Sequence, residues 1–246
     1  MNRESIHFSL LFISYNYDKL IIGGCIMSST KKNFIISGSL LLVFIIYTIL
    51  VKNIDLNTIG PKDSVVGFST LNSFVFGITG ENMIFYYLTE VLGIIPILMA
   101  FIYAIIGLNQ LIKRKSLFKV DKELLGLGIF YVIVIGLYIF FEIFIVNYRP
   151  VLMEGELEAS YPSSHTLIAL CICGSAVLLN KKKYNKIPIV RIVNKILLIV
   201  MVLLVLGRIL SGVHWFSDIL GSLIISSALL MSYYTFLKIE KEEKNV

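Results

Sequence analysis

Six long apolar stretches occupy most of the chain, at approximately 33–51, 85–108, 124–146, 164–180, 194–210 and 216–237. Each is close to the roughly 20 residues that a helix needs to cross a bilayer. Backbone groups in lipid must be hydrogen-bonded internally, and stretches of this length favour helices over the short alternating strands of a barrel. The sequence therefore predicts an all-α, polytopic membrane bundle of about six transmembrane helices.

The composition supports this class and excludes others. Hydrophobic residues make up 57% of the chain and charged residues 15%, with a mean hydropathy of +0.85, which is not the balance of a soluble domain. The net charge of +6 does not indicate a nucleic-acid partner, because the basic residues lie in short loops between apolar stretches. Cys25, Cys171 and Cys173 have neither the spacing nor the number of a disulfide framework or zinc site.

Basic residues concentrate on one predicted side of the membrane. The segments concerned precede the first apolar stretch or follow the second, fourth and sixth, and they contain Lys31, Lys32, Lys113, Arg114, Lys115, Lys119, Lys122, Lys181, Lys182, Lys183, Lys186, Arg191, Lys195, Lys238, Lys241 and Lys244. Because cytoplasmic loops retain lysine and arginine, we predict a multi-pass protein of the cytoplasmic (inner) membrane with both termini in the cytoplasm. Segments 52–84, 147–163 and 207–216 are then extracytoplasmic.

Residues 1–26 differ from the rest of the chain. They contain a mildly apolar stretch from Ile6 to Ile22, which the sequence Tyr15 to Lys19 interrupts. The stretch is too short for a span and does not resemble a cleavable signal peptide. We predict that 1–26 is a dispensable N-terminal extension and that 27–246 is a single membrane-embedded domain.

Three polar clusters lie at the ends of apolar stretches. They are Asn147 to Pro150, Tyr161 to His165, and Arg208 with His214 and Asp218. Arginine and histidine are costly at the edge of a membrane span unless a function requires them. All three clusters fall on the predicted extracytoplasmic side, an agreement between loop charge and cluster position that supports a shared site.

The third cluster has the spacing of an oriented nucleophile. His214 and Asp218 are four residues apart, which would place them on one face of a helix. A carboxylate on one ring nitrogen fixes the tautomer, leaves the other nitrogen free to attack, and stabilises the resulting cation. For this pair alone, a polar start to a membrane helix is the simpler interpretation, and the other two clusters favour a site.

The second cluster has the pattern of a helix start. Ser163 and Ser164 immediately precede an apolar stretch, as a capping hydroxyl followed by free backbone amides would. Such amides bind anions, Arg149 and Arg208 would add charged donors suited to phosphate, and His165 would place an acid beside them. An ordinary cap and interfacial arginines are the alternatives for each residue taken alone.

These clusters resemble the signature of the type 2 phosphatidic acid phosphatases, membrane enzymes of a superfamily that includes vanadium haloperoxidases. The signature is Lys-x6-Arg-Pro, Pro-Ser-Gly-His and Ser-Arg-x5-His-x3-Asp. In this chain the matching residues, in order and with the same internal spacing, are Arg149-Pro150, Pro162-Ser163-Ser164-His165 and Arg208-x5-His214-x3-Asp218. The resemblance covers about the second half of the chain.

The resemblance implies a mechanism and a class of substrate. His214 would attack phosphorus to form a phosphohistidine, Asp218 would orient it, and His165 would protonate the leaving alkoxide before water releases phosphate. The phosphate oxygens would be held by Arg149, Arg208, Ser163 and Ser164. No metal or other cofactor is implied, and the substrate would be a membrane lipid carrying a phosphate or pyrophosphate, such as phosphatidate, phosphatidylglycerophosphate or an isoprenoid pyrophosphate.

Three positions depart from the signature. Ser164 replaces its glycine, Gly207 replaces its serine, and Glu142 stands where it has lysine. A carboxylate at 142 would repel phosphate unless it is neutral or paired. Glu142 is therefore interpreted either as a charge partner of Arg149 or Arg208, or as a modulator that disfavours strongly anionic head groups.

Other functions stay open from the sequence alone. Relatives with this signature include enzymes that transfer the phosphoryl or head group to another alcohol, so a lipid phosphotransferase is one alternative. A non-catalytic lipid-binding relative is another, although it would not need both a nucleophile and an acid. A small transporter is the weakest, because the charged groups cluster at one membrane edge and not near its middle.

Overall fold

The computed structural model describes residues 21–22, 25–26 and 29–243. Within these residues the chain forms seven α-helices, which are α1 (Ser29–Asn53), α2 (Ser69–Thr79), α3 (Met83–Arg114), α4 (Lys122–Ile143), α5 (Ser164–Lys183), α6 (Pro188–Ser211) and α7 (Phe216–Glu243). Strands β1 (Ile21–Ile22) and β2 (Cys25–Ile26) pair antiparallel, and 3₁₀ turns occupy Pro61–Asp63 and Leu117–Lys119.

In this part of the chain, six helices are long and apolar enough to cross a membrane, namely all but α2. Each overlaps one predicted apolar stretch, so the predicted all-α membrane bundle is confirmed. The side of the membrane that each terminus occupies stays a prediction. Apart from β1 and β2, the predicted extension at 1–26 lies outside the described residues, and the division of the chain at residue 27 also stays a prediction.

Helices α5 and α7 form the inside of the bundle. Of the apolar window in each span, 67% is buried in α5 and 50% in α7, whereas the windows of α1, α3, α4 and α6 are 11–28% buried. The outer helices expose many large apolar side chains, including Phe74 of α2, Val91 and Phe101, as lipid-facing surfaces do. The two inner helices both begin at the same end of the bundle, because the amide of Ser163 donates to the carbonyl of Asp218 at 3.2 Å.

A tight corner brings the end of α6 against the start of α3. Gly212 ends α6 with φ +66°, and a Cβ there would lie 1.9 Å from the carbonyl oxygen of Gly80. Only glycine combines this left-handed conformation with so close an approach. The amide of Asn82 donates to the carbonyl of Ser211 at 2.9 Å, which fixes the loop that follows α6 beside α2 and α3.

Helix α3 packs on α6 at Gly207. A Cβ at this position would lie 2.4 Å from Cγ2 of Thr89, which is fully buried. The Thr89 hydroxyl bonds within its own helix, to the carbonyls of Phe85 and Tyr86 at 3.0 and 2.7 Å. The methyl group of Thr89 therefore fills the space that a side chain at 207 would need.

We expect Gly207→Ser to destabilise the protein by about 1–3 kcal/mol, because the added atoms overpack a buried helix contact. Thr89→Ser removes the obstructing methyl and keeps the hydroxyl, so the double variant Gly207→Ser/Thr89→Ser should recover most of the loss. The measurement is thermal unfolding of the four proteins in detergent. A double variant as unstable as Gly207→Ser alone would show that Thr89 is not the obstacle.

Candidate active site

The polar clusters meet where α5 and α7 begin and α6 ends. His214 lies in the loop before α7 and not on the helix itself, so the predicted placement of His214 and Asp218 on one helical face is wrong. Its side chain is 4% exposed. Nδ1 lies 3.0 Å from Oγ of Ser160 and 3.1 Å from the Ser160 carbonyl oxygen. Because a carbonyl oxygen only accepts, this arrangement assigns the ring proton to Nδ1.

The other ring nitrogen of His214, Nε2, is buried and has no hydrogen-bond partner among the described residues. With the proton on Nδ1, Nε2 carries an unshared lone pair. Burial lowers the pKa of His214 well below its ordinary value, and the positive charges of Arg149 and Arg208 lower the pKa further. His214 is therefore neutral at neutral pH, the state in which an imidazole is a nucleophile.

Asp218 does not contact His214 directly. Its carboxylate is fully buried and accepts hydrogen bonds from the Ser160 hydroxyl at 2.5 Å, the Trp215 amide at 2.9 Å and the Asn147 side chain at 3.2 Å. The predicted orientation of His214 by Asp218 thus runs through Ser160, which touches both. The sequence analysis missed Ser160, since a lone serine in a loop gives no signal of its own.

The buried side-chain amides of Asn147 and Asn72 hold the residues around Asp218 in place. Asn147 accepts from the Gly67 amide at 3.1 Å through its side chain, and its carbonyl accepts from the Ser160 amide at 2.9 Å. Asn72 of α2 accepts from the Ser217 amide at 3.0 Å and donates to the Ser217 hydroxyl at 2.9 Å. The short helix α2, which the sequence analysis did not predict, therefore supports the site.

Both predicted arginines are buried beside the site, and each has a carboxylate partner. Arg208 is fully buried and donates through Nη2 to Glu90 at 2.5 Å. Arg149 is 9% exposed, and its Nε lies 3.1 Å from a carboxylate oxygen of Glu158. Among the described residues, Nη1 of Arg149 and both Nε and Nη1 of Arg208 have no hydrogen-bond partner. Unpartnered guanidinium N–H groups in a buried place are suited to an anionic ligand.

The start of α5 supplies backbone donors. The first helical hydrogen bond runs from the Leu167 amide to the Ser163 carbonyl at 2.9 Å, so the amides of Ser164 and His165 precede it and lack helical partners. The predicted capping hydroxyl is wrong, because Ser163 Oγ contacts the Thr166 hydroxyl at 3.1 Å and caps no amide. The anion-binding character of the helix start does not depend on that cap.

Glu90 of α3 joins two predicted site residues. Its carboxylate contacts Nε2 of His165 at 3.1 Å and Nη2 of Arg208 at 2.5 Å. The sequence analysis did not single out Glu90, although the only acidic residue within the 32-residue α3 was a usable signal in a membrane span. Nδ1 of His165 is buried and has no partner within the described residues.

The second half of the chain is similar to a known protein family. The family model described as the PAP2 superfamily matches residues 140–241. This segment of the chain is thus similar to the PAP2 superfamily. The predicted resemblance to the type 2 phosphatidic acid phosphatases is thereby confirmed, and the matched segment contains all three polar clusters.

The chain is also similar to one solved structure. That structure is described as the crystal structure of the first transmembrane PAP2 type phosphatidylglycerolphosphate phosphatase from Bacillus subtilis. It is 24% identical to this chain, with 84% of this chain and 96% of that chain covered and a TM-score of 0.49. No curated protein matches the chain significantly.

The three departures from the PAP2 signature have different structural settings. Gly207 is required by the buried Thr89, whose methyl group occupies the space of the missing serine. Ser164 is the first residue of α5 and keeps the backbone amide that a glycine would offer. Glu142 is exposed on α4 and borders a cleft that Ser160 and Ser164 also line.

One interpretation of Glu142 is thereby corrected. Among the described residues Glu142 forms no ion pair with either arginine, and Arg149 pairs instead with Glu158 and Arg208 with Glu90. The reason is that α4 ends at Ile143, so the segment from 144 to 149 is not helical and the two-turn spacing expected between Glu142 and Arg149 does not hold.

Across the described residues, no group of three or more His, Cys, Asp or Glu side chains could hold a metal ion.

We expect Ser160→Ala to slow the reaction of His214 with a phosphate ester by roughly tenfold to a hundredfold, because a hydrogen bond to a buried charge is lost. The measurement is phosphate release by detergent-purified protein, with His214→Ala as the background. Ser175→Ala is the matched control, since Ser175 is also fully buried but its hydroxyl bonds within α5, to Ile172. An unchanged rate in Ser160→Ala would contradict the orientation of His214 by Asp218 through Ser160.

Proposed function

We propose that the protein is an integral-membrane phosphatase that hydrolyses a phosphomonoester or pyrophosphate of a lipid through a phosphohistidine intermediate. The observation that carries this proposal is the buried His214, whose Nε2 has no partner among the described residues, beside two buried arginines with N–H groups that these residues leave unused. A non-catalytic lipid binder would have no use for a nucleophile held in this tautomer. The match of residues 140–241 to the PAP2 superfamily supports the same reaction class.

Each proposed step uses groups described above. The phosphate oxygens bind to the free N–H groups of Arg149 and Arg208 and to the amides that begin α5, at Ser164 and His165. Nε2 of His214 attacks phosphorus, the bond from phosphorus to the ester oxygen breaks, and His165 donates a proton to the leaving alkoxide. Water then attacks phosphorus, His165 takes the proton of that water, and inorganic phosphate leaves His214 in its original form.

The surroundings of His214 support a lipid substrate. A cleft beside His214 runs between α2 and the end of α6, and most of its lining is apolar, including Val75, Phe76 and Ile209. An apolar surface at this end of the bundle would contact the apolar part of an amphiphile whose phosphate head occupies the polar site. We further propose that the site faces the extracytoplasmic side, because the loops at the other end of the bundle carry most of the lysine and arginine.

The test is phosphate release by purified protein in detergent from phosphatidate, phosphatidylglycerophosphate and a polyprenyl pyrophosphate, with a chelator present and no added metal. We expect release from at least one substrate, no effect of the chelator, and loss of release in His214→Ala. A phosphorylated wild-type protein, trapped by acid quench and absent from His214→Ala, would identify the intermediate.

Two results of this test favour other functions. Phosphorylated protein that releases phosphate only after a second alcohol is added would favour a lipid phosphotransferase. A folded protein that neither becomes phosphorylated nor releases phosphate would contradict the proposal and favour a non-catalytic lipid binder.

We propose that Glu142 modulates the choice of substrate. It lies on the same cleft as Ser160 and Ser164, where its negative charge disfavours head groups with additional negative charge. Glu142→Lys is expected to raise kcat/KM for phosphatidylglycerophosphate relative to phosphatidate by about tenfold, a shift that corresponds to about 1.4 kcal/mol. Glu81→Lys, an exposed substitution before α3, controls for net charge. An unchanged ratio in Glu142→Lys would contradict this role.

A further inference from the structure

Glu90 is a charged residue that the shared family features do not account for. It lies on α3, outside the segment 140–241 that matches the PAP2 superfamily. Its immediate neighbours in the chain are Thr89, which is buried against α6, and Val91, which is exposed on the lipid-facing side. A carboxylate in such a span is costly unless a specific partner or function retains it.

The carboxylate of Glu90 contacts two partners, Arg208 and His165. Oε1 accepts from Nη2 of Arg208 at 2.5 Å, and Nε2 of His165 lies 3.1 Å from Oε1 and 3.2 Å from Oε2. These partners come from α6 and α5. Glu90 therefore fixes the relative position of a phosphate-binding group and of the group proposed as the acid.

The nitrogen atoms of Arg208 and His165 that Glu90 does not contact indicate how Glu90 can act. Within the part of the chain that the structure describes, Nε and Nη1 of Arg208 and Nδ1 of His165 have no hydrogen-bond partner. Glu90 thus occupies one side of each group and leaves the remaining donors for a ligand. A carboxylate that merely filled the phosphate position would instead be expected to use several of these free donors.

We propose that Glu90 is a positioning residue that holds His165 for proton transfer through Nδ1 and holds the Arg208 guanidinium against the same phosphate. This inference rests on the proposed function. In the bond-breaking step, His165 starts as the imidazolium, gives its Nδ1 proton to the leaving oxygen and becomes neutral, while Nε2–H stays bonded to the Glu90 carboxylate. In the hydrolysis step, Nδ1 takes a proton from water and the pair returns to its starting state.

The chemistry of the leaving group separates this role from simple structural support. An aliphatic alkoxide is a strong base and leaves slowly without a proton, whereas nitrophenolate leaves readily without one. Loss of the acid must therefore slow an alkyl phosphate much more than p-nitrophenyl phosphate. A general loss of structure would slow both substrates to a similar degree.

The experiment compares Glu90→Gln with the wild-type protein on an alkyl lipid phosphate and on p-nitrophenyl phosphate. We expect kcat for the alkyl lipid phosphate to fall by about a hundredfold and kcat for p-nitrophenyl phosphate to fall by less than about tenfold. His165→Ala should give the same pattern. The double variant should be little worse than either single variant, because both substitutions remove one function. Glu81→Gln, an exposed amide substitution before α3, should leave both rates unchanged.

Glu90→Asp is the second variant, which keeps the charge but shortens the side chain, and it should show a smaller loss with the same leaving-group pattern. Equal losses on both substrates, or full activity of Glu90→Gln on the alkyl phosphate, would overturn the role of Glu90. Provided that the wild-type protein shows release that depends on His214, such a result leaves the proposed function intact. Absence of that release from the wild-type protein would overturn the proposed function and this role together.

Discussion

The arrangement of the site depends on the hydrogen bonds that the Asp218 carboxylate accepts. This carboxylate is fully buried at the first turn of α7 and receives hydrogen bonds from three other parts of the chain, through Asn147, Ser160 and Trp215. A buried charge is stable only when its hydrogen-bonding capacity is met. The loops that carry these donors therefore cannot move independently, and the position of His214 follows from theirs.

Each arginine of the proposed phosphate-binding site has one carboxylate partner, and that partner does not use all of its N–H groups. Arg149 and Arg208 each meet one carboxylate, which lowers the cost of burying a guanidinium. Each arginine still keeps N–H groups that no described residue uses. Such unmet donors lower stability unless a ligand occupies them. The site thus has the properties of a place built for an anion, and the two acids, Glu90 and Glu158, determine which donors remain free.

The bundle itself explains why the site lies at one end. The two inner helices, α5 and α7, are the most buried of the six spans, and both start at the site. The first turn of α5 supplies the unpaired amides of Ser164 and His165 and the partial positive charge of a helix start, and the first turn of α7 carries Asp218. The outer helices contribute through single side chains that reach inward, such as Glu90 from α3. Helix α2 adds Asn72, which ties the first turn of α7 to the loop after α1 through Ser217 and Gly67.

The sequence by itself determined the six spans and the three polar clusters. Span length and apolar composition are local properties, and the motif spacing lies within short segments such as 208–218. Only the tertiary structure showed that Ser160 stands between His214 and Asp218, that Glu90 and not Glu142 pairs with Arg208, and that α2 supports the site. These contacts join residues 54 to 145 positions apart. Such contacts depend on how helices pack, for which the local pattern of one sequence contains no signal.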